Sequence, residues 1–428
     1  MIYENSLAFA QVADKNDPLR EWRNEFHFPQ IKGKDAYYFT GNSLGLQPKQ
    51  ARTFVEAEMK KWETYGVEGH FVPKERPWLK FHEASKAALA KIVGAKPLEV
   101  VCMNNLSVNL HLLMVSFFRP TKKRFKVICE AGAFPSDQYM FESQLKFHGL
   151  NPAEALIEVA PRTGEQTLRT EDIISTIEQN ADELALVLFG GLQYYTGQLF
   201  DMPAITKAGH KAGAFVGFDL AHAAGNVPLH LHEWDVDFAT WCSYKYLNSG
   251  PGNVSGIFVH ERFAYDKDLP RFAGWWGHNE QERFLMEKGF DPMPGADGWQ
   301  LSNVNVISTA AHLASLQLFE QVGMEALREK SLKLTGFLEY IIDELSGEDK
   351  LFEIITPRNP QERGAQLSIY FHRNGKLMFD YLVEEGVIGD WREPNVIRIA
   401  PAPMYNSFED VYHFGRLLKE AIKKYADA

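Results

Sequence analysis

The fold is decided by residues 218–260, which read FDLAHAAGNVPLHLHEWDVDFATWCSYKYLNSGPGNVSGIFVH. Asp219 ends one short apolar run, and Lys245 follows the next run in the segment SYKYLNSGPG. Where parallel strands lie side by side, their carboxyl ends meet at one edge of the sheet, and ligands bind in the crevice there. We therefore expect Asp219 and Lys245 to face the same crevice.

Short apolar runs separated by helical stretches make up the middle of the chain. These runs are residues 100–103, 125–129, 184–189, 214–218 and 238–241. The run at 184–189 is apolar on both faces, as a buried parallel strand is. Asp201 and Gly213 bracket one intervening helix, because Asp is a favoured N-cap and Gly a common C-terminal stop. This alternation predicts an open, mainly parallel α/β sheet.

The chain has 428 residues, too many for one small core, so we expect a large and a small domain. Residues 48–62 and 78–93 have helical periodicity, and Gly94 closes the second helix. A long helical region runs from Val306 to Ser346. After it come strand-like runs at 352–355, 365–371 and 396–400 and helices at 376–385 and 408–425. We expect three parts: an N-terminal segment (1–60) that packs with the small domain, a large domain (61–325) and a small α+β C-terminal domain (326–428).

Composition argues against several classes of function. The net charge of −11 would repel phosphates, so we expect no nucleic-acid partner. No stretch approaches the roughly 20 apolar residues of a membrane helix. The first residues have no basic region ahead of an apolar core, so we expect no signal peptide. Cys102, Cys129 and Cys242 lie far apart with no CxxC pair, which indicates a reducing compartment and predicts a cytoplasmic protein.

The surroundings of Lys245 match the needs of pyridoxal 5′-phosphate (PLP). This cofactor needs a lysine amine that forms an imine and moves protons. It needs a carboxylate against the pyridine nitrogen, for which Asp219 is the candidate, and donors for its phosphate, for which Tyr244 is one. Gly250 and Gly252 let the backbone approach a ligand closely. The spacing alone leaves a second interpretation open, in which core strands end in ordinary surface residues.

Two loops add candidate cofactor contacts. In AGAFPSDQY (131–139), Phe134 is placed to stack on a flat ring, and Asp137 lies where a loop enters a helix. The alternative is that Ser136 or Asp137 is only an N-cap. In NNLSVNLHLL (104–113), another strand-to-helix turn leaves the amides of Leu106 and Ser107 free for a phosphate.

Seven segments spread over nearly the whole chain resemble kynureninase. They are YFTGNSLGLQP (38–48), AFPSDQY (133–139), YYTGQ (194–198), FDLAHAAGNV (218–227), WCSYKYLNSGPG (241–252), GWWGH (274–278) and RIAPAPMYNSF (398–408). The resemblance implies a fold type I, aminotransferase class V-like PLP enzyme, with a mostly parallel seven-stranded sheet and a smaller C-terminal domain. It also implies a hydrolase of the kynurenine pathway of tryptophan catabolism, which feeds NAD biosynthesis.

The resemblance assigns roles to individual residues. Lys245 would hold PLP, Asp219 would pair with the pyridine nitrogen, and Tyr244 is a plausible proton relay. The residues around the cofactor would be Leu106, Ser107, Phe134, Pro135, Ser136, Asp137, Asp219, His222, Tyr244, Lys245, Trp275 and Asn303. The substrate would be held by His70, Ser302, Asn303 and Arg398, with Arg398 on its α-carboxylate. Gly190 departs from the pattern, because related chains often carry a hydroxyl residue there.

The implied reaction is hydrolysis of kynurenine, or 3-hydroxykynurenine, to anthranilate, or 3-hydroxyanthranilate, and alanine. The trio His70, Ser302 and Asn303 resembles that of eukaryotic kynureninases, which favour the hydroxylated substrate. The resemblance also implies a homodimer with shared active sites, in which Trp275 and Asn303 reach the neighbouring subunit's pocket.

The sequence also allows other interpretations. His230, His232, Glu233 and Asp235 have only a weak metal-ligand spacing, so we expect solvated loop residues and no metal. No G-x-G-x-x-G turn supports a nicotinamide cofactor. A cysteine desulfurase or aminotransferase of the same fold remains an alternative, as does a non-catalytic scaffold. A desulfurase would need a mobile nucleophilic cysteine, whereas all three cysteines lie on or beside predicted strands.

Overall fold

A computed structural model describes residues 2–72, 76–347 and 350–426. The N-terminal part begins with helix α1 (Leu7–Lys15) and contains short two-residue strands. These are β1 (Phe26–His27), β2 (Gln30–Ile31), β3 (Lys34–Asp35), β4 (Tyr37–Tyr38) and β5 (Gln47–Pro48). β1 pairs with β5, which includes Pro48. The helix predicted to begin at residue 48 therefore begins later, and α2 spans Ala51–Tyr65. The helix predicted over 78–93 is instead a 3₁₀ segment, Trp78–Ser85, that continues into α3 (Lys86–Val93). Gly94 ends α3 in the left-handed conformation, as predicted.

A sheet of seven strands forms the centre of the molecule. Its strands are β6 (Val100–Met103), β7 (Lys126–Glu130), β8 (Leu156–Val159), β9 (Leu184–Gly190), β10 (Phe215–Asp219), β11 (Phe238–Trp241) and β12 (Ser255–Val259). They lie in the order β6-β12-β11-β10-β9-β7-β8. The pairs among β11, β10, β9, β7 and β8 are parallel, whereas β12 runs antiparallel to both β11 and β6. The predicted fold class, a mostly parallel seven-stranded α/β sheet, is confirmed.

Helices cover both faces of this sheet. They include α4 (Leu106–Phe117), α5 (Pro135–Phe147), α6 (Pro152–Ala155), α7 (Thr170–Gln179) and α8 (Met202–Lys211). Successive residues of β7 show why both faces are apolar, since Ile128 packs in one hydrophobic cluster and Val127 and Cys129 pack in another. The Asp201 side chain accepts a hydrogen bond from the Ala204 amide and so caps α8, as predicted.

The C-terminal part has its own sheet and apolar cluster. The helical region predicted from 306 to 346 is two helices, α9 (Val306–Val322) and α10 (Met324–Ser346), separated at Gly323, which has a φ of +81°. The remaining elements are β13 (Phe352–Ile354), β14 (Leu367–Phe371), α11 (Gly375–Glu384), β15 (Val387–Ile388), β16 (Asp390–Arg392), β17 (Val396–Ile399) and α12 (Phe408–Tyr425). The order β13-β14-β17-β16 forms an antiparallel sheet, and β15 pairs with β4 of the N-terminal part.

The N-terminal part also contributes to the C-terminal cluster, which includes Ala10 and Phe39. Ser407 and Asp410 form a capping box that begins α12 at the predicted residue. In the described ranges, none of the helices combines the length and the apolar composition that a membrane crossing requires.

Candidate active site

A cavity of about 710 Å³ opens at the carboxyl ends of β7, β9, β10 and β11. Ten residues predicted from the sequence line it: Leu106, Ser107, Phe134, Ser136, Asp137, Asp219, His222, Tyr244, Lys245 and Arg398. Eleven further residues complete the wall: Asn42, Ser43, Asn105, Glu130, Gly190, Leu192, Tyr194, Ala221, Cys242, Gly252 and Arg392. The expected crevice shared by Asp219 and Lys245 is therefore present in the structure.

Lys245 lies in the turn that follows β11 and is 9% exposed. Its Nζ is 3.2 Å from Nε2 of His222 and lies over the ring of Phe134, 5.7 Å from the ring centroid. The N-terminal segment packs tightly against this turn, because a Cβ on Gly45 would lie 2.4 Å from the Lys245 carbonyl oxygen. The lysine amine is thus held inside the cavity by residues from distant parts of the chain.

His222 is held in its neutral form. Burial lowers the pKa of its imidazole well below the usual value, and the nearby cations Lys245, Arg398 and Arg392 lower it further. A neutral ring lets Nε2 accept a hydrogen bond from the Lys245 ammonium. Nδ1 is buried and has no hydrogen-bond partner among the described residues, so it is available to a ligand.

Asp219 and Asp137 form a coupled acidic pair beside Lys245. Asp219 ends β10, and its Oδ1 accepts a hydrogen bond of 2.7 Å from the Ala221 amide. Burial raises the pKa of Asp137 well above its usual value, and the charge of Asp219 raises it further. Burial also raises the pKa of Asp219, whereas the Lys245 ammonium lowers it. Asp137 therefore stays protonated. Asp219 is the carboxyl group that would be ionised next to a protonated pyridine ring.

One wall of the cavity is suited to an anion. Asn105 precedes α4 but makes no side-chain cap hydrogen bond, so the first amides of α4, at Leu106 and Ser107, are not satisfied by a capping side chain. Tyr244 lines the same cavity, and burial together with Cys242 raises the pKa of its phenol, which stays protonated and can donate.

Arg398 approaches from the opposite side, on β17, and its side chain is 1% exposed. Its guanidinium donates one hydrogen bond to the Asp390 carboxylate and another, of 2.7 Å, to the Tyr194 carbonyl oxygen. Arg392 also pairs with Asp390, at 3.1 Å. The two guanidinium groups therefore line the same cavity as Lys245 and the carboxyl groups at the strand ends.

Five predicted site residues do not line this cavity in the single chain. Pro135 opens α5 next to it. Ser302 and Asn303 line an adjacent cavity of about 310 Å³, which shares Asn105 and Gly252 with the first. Trp275 is 39% exposed and packs edge-on against Phe284.

The fifth of these residues, His70, is engaged locally. Its Nδ1 lies 3.0 Å from the Val67 carbonyl oxygen, and its ring packs edge-on against Trp78.

The sequence interpretation missed several lining residues. Glu130 follows the predicted strand 125–129 directly, so the rule that strand ends carry ligand contacts could have identified it. Arg392 had no such signal, because its place depends on how the small sheet packs over the large one.

His230, Glu233 and Asp235 are exposed, as expected of solvated loop residues, whereas His232 differs from that expectation. His232 is only partly exposed, and its Nδ1 lies 2.8 Å from the buried carboxylate of Glu99, close to His260. Glu99 also accepts hydrogen bonds from the amides of Lys96 and Glu261, and the Arg262 amide donates to His260 Nδ1. These atoms are already engaged in a hydrogen-bonded network.

Comparisons with known proteins agree on one family. Residues 327–418 match the family model described as Kynureninase C-terminal domain. A protein of Flavobacterium psychrophilum named Kynureninase is 60% identical over 423 residues, which cover 99% of both chains. A protein of Myxococcus xanthus with the same name is 55% identical over 98% of both chains. A protein of Nematostella vectensis, also named Kynureninase, is 48% identical over 98% of this chain and 94% of its own.

Solved structures support the fold. An apo cysteine desulfurase from Thermococcus onnurineus NA1 superimposes with a TM-score of 0.76 at 18% identity, covering 99% of both chains. A C-DES mutant with glycine covalently linked to its PLP cofactor superimposes with a TM-score of 0.73 at 16% identity, covering 90% of this chain and 96% of its own. At these identities the likeness establishes the architecture of fold type I PLP enzymes and not a shared reaction.

Proposed function

The chain belongs to the kynureninase family, and from this premise we propose that the cavity around Lys245 hydrolyses L-kynurenine to anthranilate and L-alanine. The reaction consumes one water, breaks the bond between Cβ and Cγ, and turns the ketone carbon into the carboxylate of anthranilate. The observation that carries the proposal is that Lys245, Asp219 and Arg398 line one cavity. An amine, a carboxylate and a guanidinium are the groups that an amino-acid substrate and a pyridine cofactor require.

The residues present fit pyridoxal phosphate. Lys245 would bind its carbonyl carbon, Asp219 would pair with its ring nitrogen, and the amides of Leu106 and Ser107 at the start of α4 would hold its phosphate. The unpartnered Nδ1 of His222 supports the fit, because a buried ring nitrogen without a partner indicates that a ligand group completes the site. When bound, the cofactor supplies an electron sink for the bonds at the substrate's Cα.

The chain's own residues supply binding and proton transfer. Arg398 would hold the α-carboxylate, with its guanidinium already oriented by Asp390 and Tyr194. The Lys245 amine would then take the proton from the substrate's Cα. Tyr244 would return a proton to the departing β-carbon, since its phenol stays protonated.

We further propose a cytoplasmic homodimer with shared active sites. The exposed Trp275 and the location of Asn303 in the adjacent cavity support this, because neither residue lines the main cavity of its own chain. Large apolar side chains on α2, among them Trp62 at 59% exposure, are also available for burial between subunits. Cys102, Cys129 and Cys242 are free thiols, as expected in a reducing compartment.

For substrate choice we propose that 3-hydroxykynurenine is accepted at least as well as kynurenine. Asn303 is exposed in the single chain, so the proposal requires that the second subunit covers its amide. Once covered, the amide needs a partner that the ring hydroxyl would supply, and leaving a polar group unpaired costs about 1–3 kcal/mol. The packing of His70 against Trp78 favours the alternative that His70 discriminates little. Comparing kcat/KM for the two substrates in the wild type and in Asn303→Thr tests the idea, which fails if the preference ratio is unchanged.

A cysteine desulfurase activity is disfavoured by the state of the cysteines. Burial raises the pKa of the Cys102 thiol to about 12 and raises those of Cys129 and Cys242 as well. Protonated, buried thiols are poor nucleophiles.

The activity is tested by incubating the PLP-loaded protein with L-kynurenine and following anthranilate fluorescence. We expect turnover in the wild type and in Lys211→Ala, whose lysine is on the surface, and none in Lys245→Ala. A wild-type protein that binds PLP and leaves kynurenine intact would refute the proposal.

A further inference from the structure

Glu130 is a buried carboxyl group that lines the cavity but has no role in the reaction described above. It ends β7, is 4% exposed and lines the same cavity as Asp219 and Lys245. Both of its carboxyl oxygens lie 3.1 Å from the amide nitrogen of Gly190, on the neighbouring strand β9. Among the residues that the structure describes, no ion pair includes Glu130.

The carboxyl group occupies the space that a side chain at position 190 would fill. A Cβ built on Gly190 would lie 2.9 Å from Oε1 of Glu130. Glu130 therefore places a polar group over the end of β9, next to Asp219, which pairs in register with Gly190.

The charges around Glu130 favour its neutral form. The acidic groups nearby are Asp219 on β10 and Asp137 on α5, with the Cys129 thiol on β7 itself. Lys245 is the cation of the same cavity, but it pairs with His222 and faces Asp219. Burial and the charge of Asp219 together raise the pKa of Glu130 to about 8, so the group is a carboxylic acid at pH 7.

A carboxylic acid in this position has a hydrogen to donate. The Gly190 amide is itself a donor and cannot accept it. A buried donor left without an acceptor is costly, so the acceptor has to come from the contents of the cavity.

We propose that Glu130 is a cofactor-binding residue that donates a hydrogen bond, as a neutral acid, to the ring oxygen of bound pyridoxal phosphate. The carboxylic acid thereby supplies a donor from β7 at the end of β9, where Gly190 has no side chain and Glu130 occupies the space. This inference rests on the proposed cofactor. It adds Glu130 to the residues that hold that cofactor.

The test compares Glu130→Gln, which stays neutral and keeps an N–H donor, with Glu130→Leu, which has neither donor nor acceptor. Glu158→Gln is the matched control, because Glu158 is an exposed carboxylate on the adjacent strand. We expect the PLP dissociation constant at pH 7 to change less than about 3-fold in Glu130→Gln and in the control. In Glu130→Leu it should rise about 10-fold to 100-fold, with a shifted visible spectrum, because a hydrogen bond to a charged acceptor is lost.

An infrared titration of the cofactor-free protein gives a second readout that depends on neither PLP nor activity. At pH 7 the wild type should show protonated-carboxyl absorption from both Asp137 and Glu130. Glu130→Gln should remove the Glu130 component and leave that of Asp137, whereas Glu158→Gln should leave both in place. An ionised Glu130 at pH 7, or a Glu130→Leu variant that binds PLP as the wild type does, would overturn the inference. A wild type that binds no PLP would instead refute the proposed cofactor, while the infrared result would stand. If Glu130→Leu does not fold, Glu130→Gln and the infrared titration still decide the protonation state.

Discussion

Asp390→Ala should destabilise the protein strongly, because it removes the carboxylate that neutralises a buried arginine. The Arg398 side chain is 1% exposed and that of Asp390 11%. Without Asp390, the guanidinium keeps only the Tyr194 carbonyl oxygen as a partner among the described residues. Breaking a buried ion pair by removing one member costs about 3–5 kcal/mol. Loss of the second ion pair, between Asp390 and Arg392, adds little to this loss of stability, because the Arg392 side chain is 37% exposed and the pair is screened by solvent.

The assay is urea unfolding of the cofactor-free protein at pH 7, followed by circular dichroism, with the slope compared between variants to confirm that the same surface is exposed. Glu385→Ala is the control, because its ion pair with Lys32 is solvent-exposed and should be worth less than about 1 kcal/mol. A loss below about 1 kcal/mol in Asp390→Ala, no larger than that of the control, would refute the reasoning.

The same pair predicts a kinetic effect of the milder variant Asp390→Asn. The asparagine keeps one acceptor but not the charge, so Arg398 is held less firmly where it would meet the substrate's carboxylate. We expect the KM for kynurenine to rise about 10-fold while kcat changes little, which is the pattern of a lost binding contact. A lower kcat with an unchanged KM would contradict this role.

Three further predictions concern the acidic groups and the dimer. Asp219→Ala should keep some bound PLP but lose most of its turnover, because no carboxylate would stabilise the ring cation, and near-normal kcat would exclude this role. Glu130→Gln should become more stable than the wild type as pH rises from 4.5 to about 8, because the folded protein holds the Glu130 proton more tightly than the unfolded chain does. At 1.36 kcal/mol per pH unit, the difference in unfolding free energy between Glu130→Gln and the wild type reaches at most about 5 kcal/mol. Urea unfolding at several pH values measures it, and a difference that does not change with pH would contradict the prediction. Mixing Lys245→Ala with Asn303→Ala subunits should restore one competent site per heterodimer, whereas a fully active monomer in sedimentation would exclude shared sites.

Much of the large sheet could be predicted because its strands are buried on both faces. The runs 100–103 and 238–241 were predicted with the observed bounds, and those at 125–129, 184–189 and 214–218 were within one residue. β8 was missed, because LIEV is a short edge strand with a charged residue and half-buried positions. β12 was also missed, and its pairing between β11 and β6 joins segments far apart in the chain, which no local pattern reveals.

Site residues that follow the ends of strands could be predicted from the sequence. Site residues that reach the cavity through packing between distant parts of the chain could not. Asp219 and Lys245 follow neighbouring strands, and the structure places both in one cavity. Arg392 reaches that cavity only through the position of the small sheet. The roles of Trp275 and Asn303 stay predictions, because they depend on a second subunit. The three-part division at residues 60 and 325 also stays a prediction.

The central claim is that Lys245 carries the cofactor of a kynurenine-hydrolysing site. The most direct measurement is borohydride reduction of the PLP-loaded protein, followed by proteolysis and mass spectrometry of the modified peptide. We predict a single pyridoxyl group on Lys245, with the visible absorption band and kynurenine turnover lost together. A pyridoxyl group on another lysine, or unreduced protein that hydrolyses kynurenine without any modified lysine, would contradict the claim.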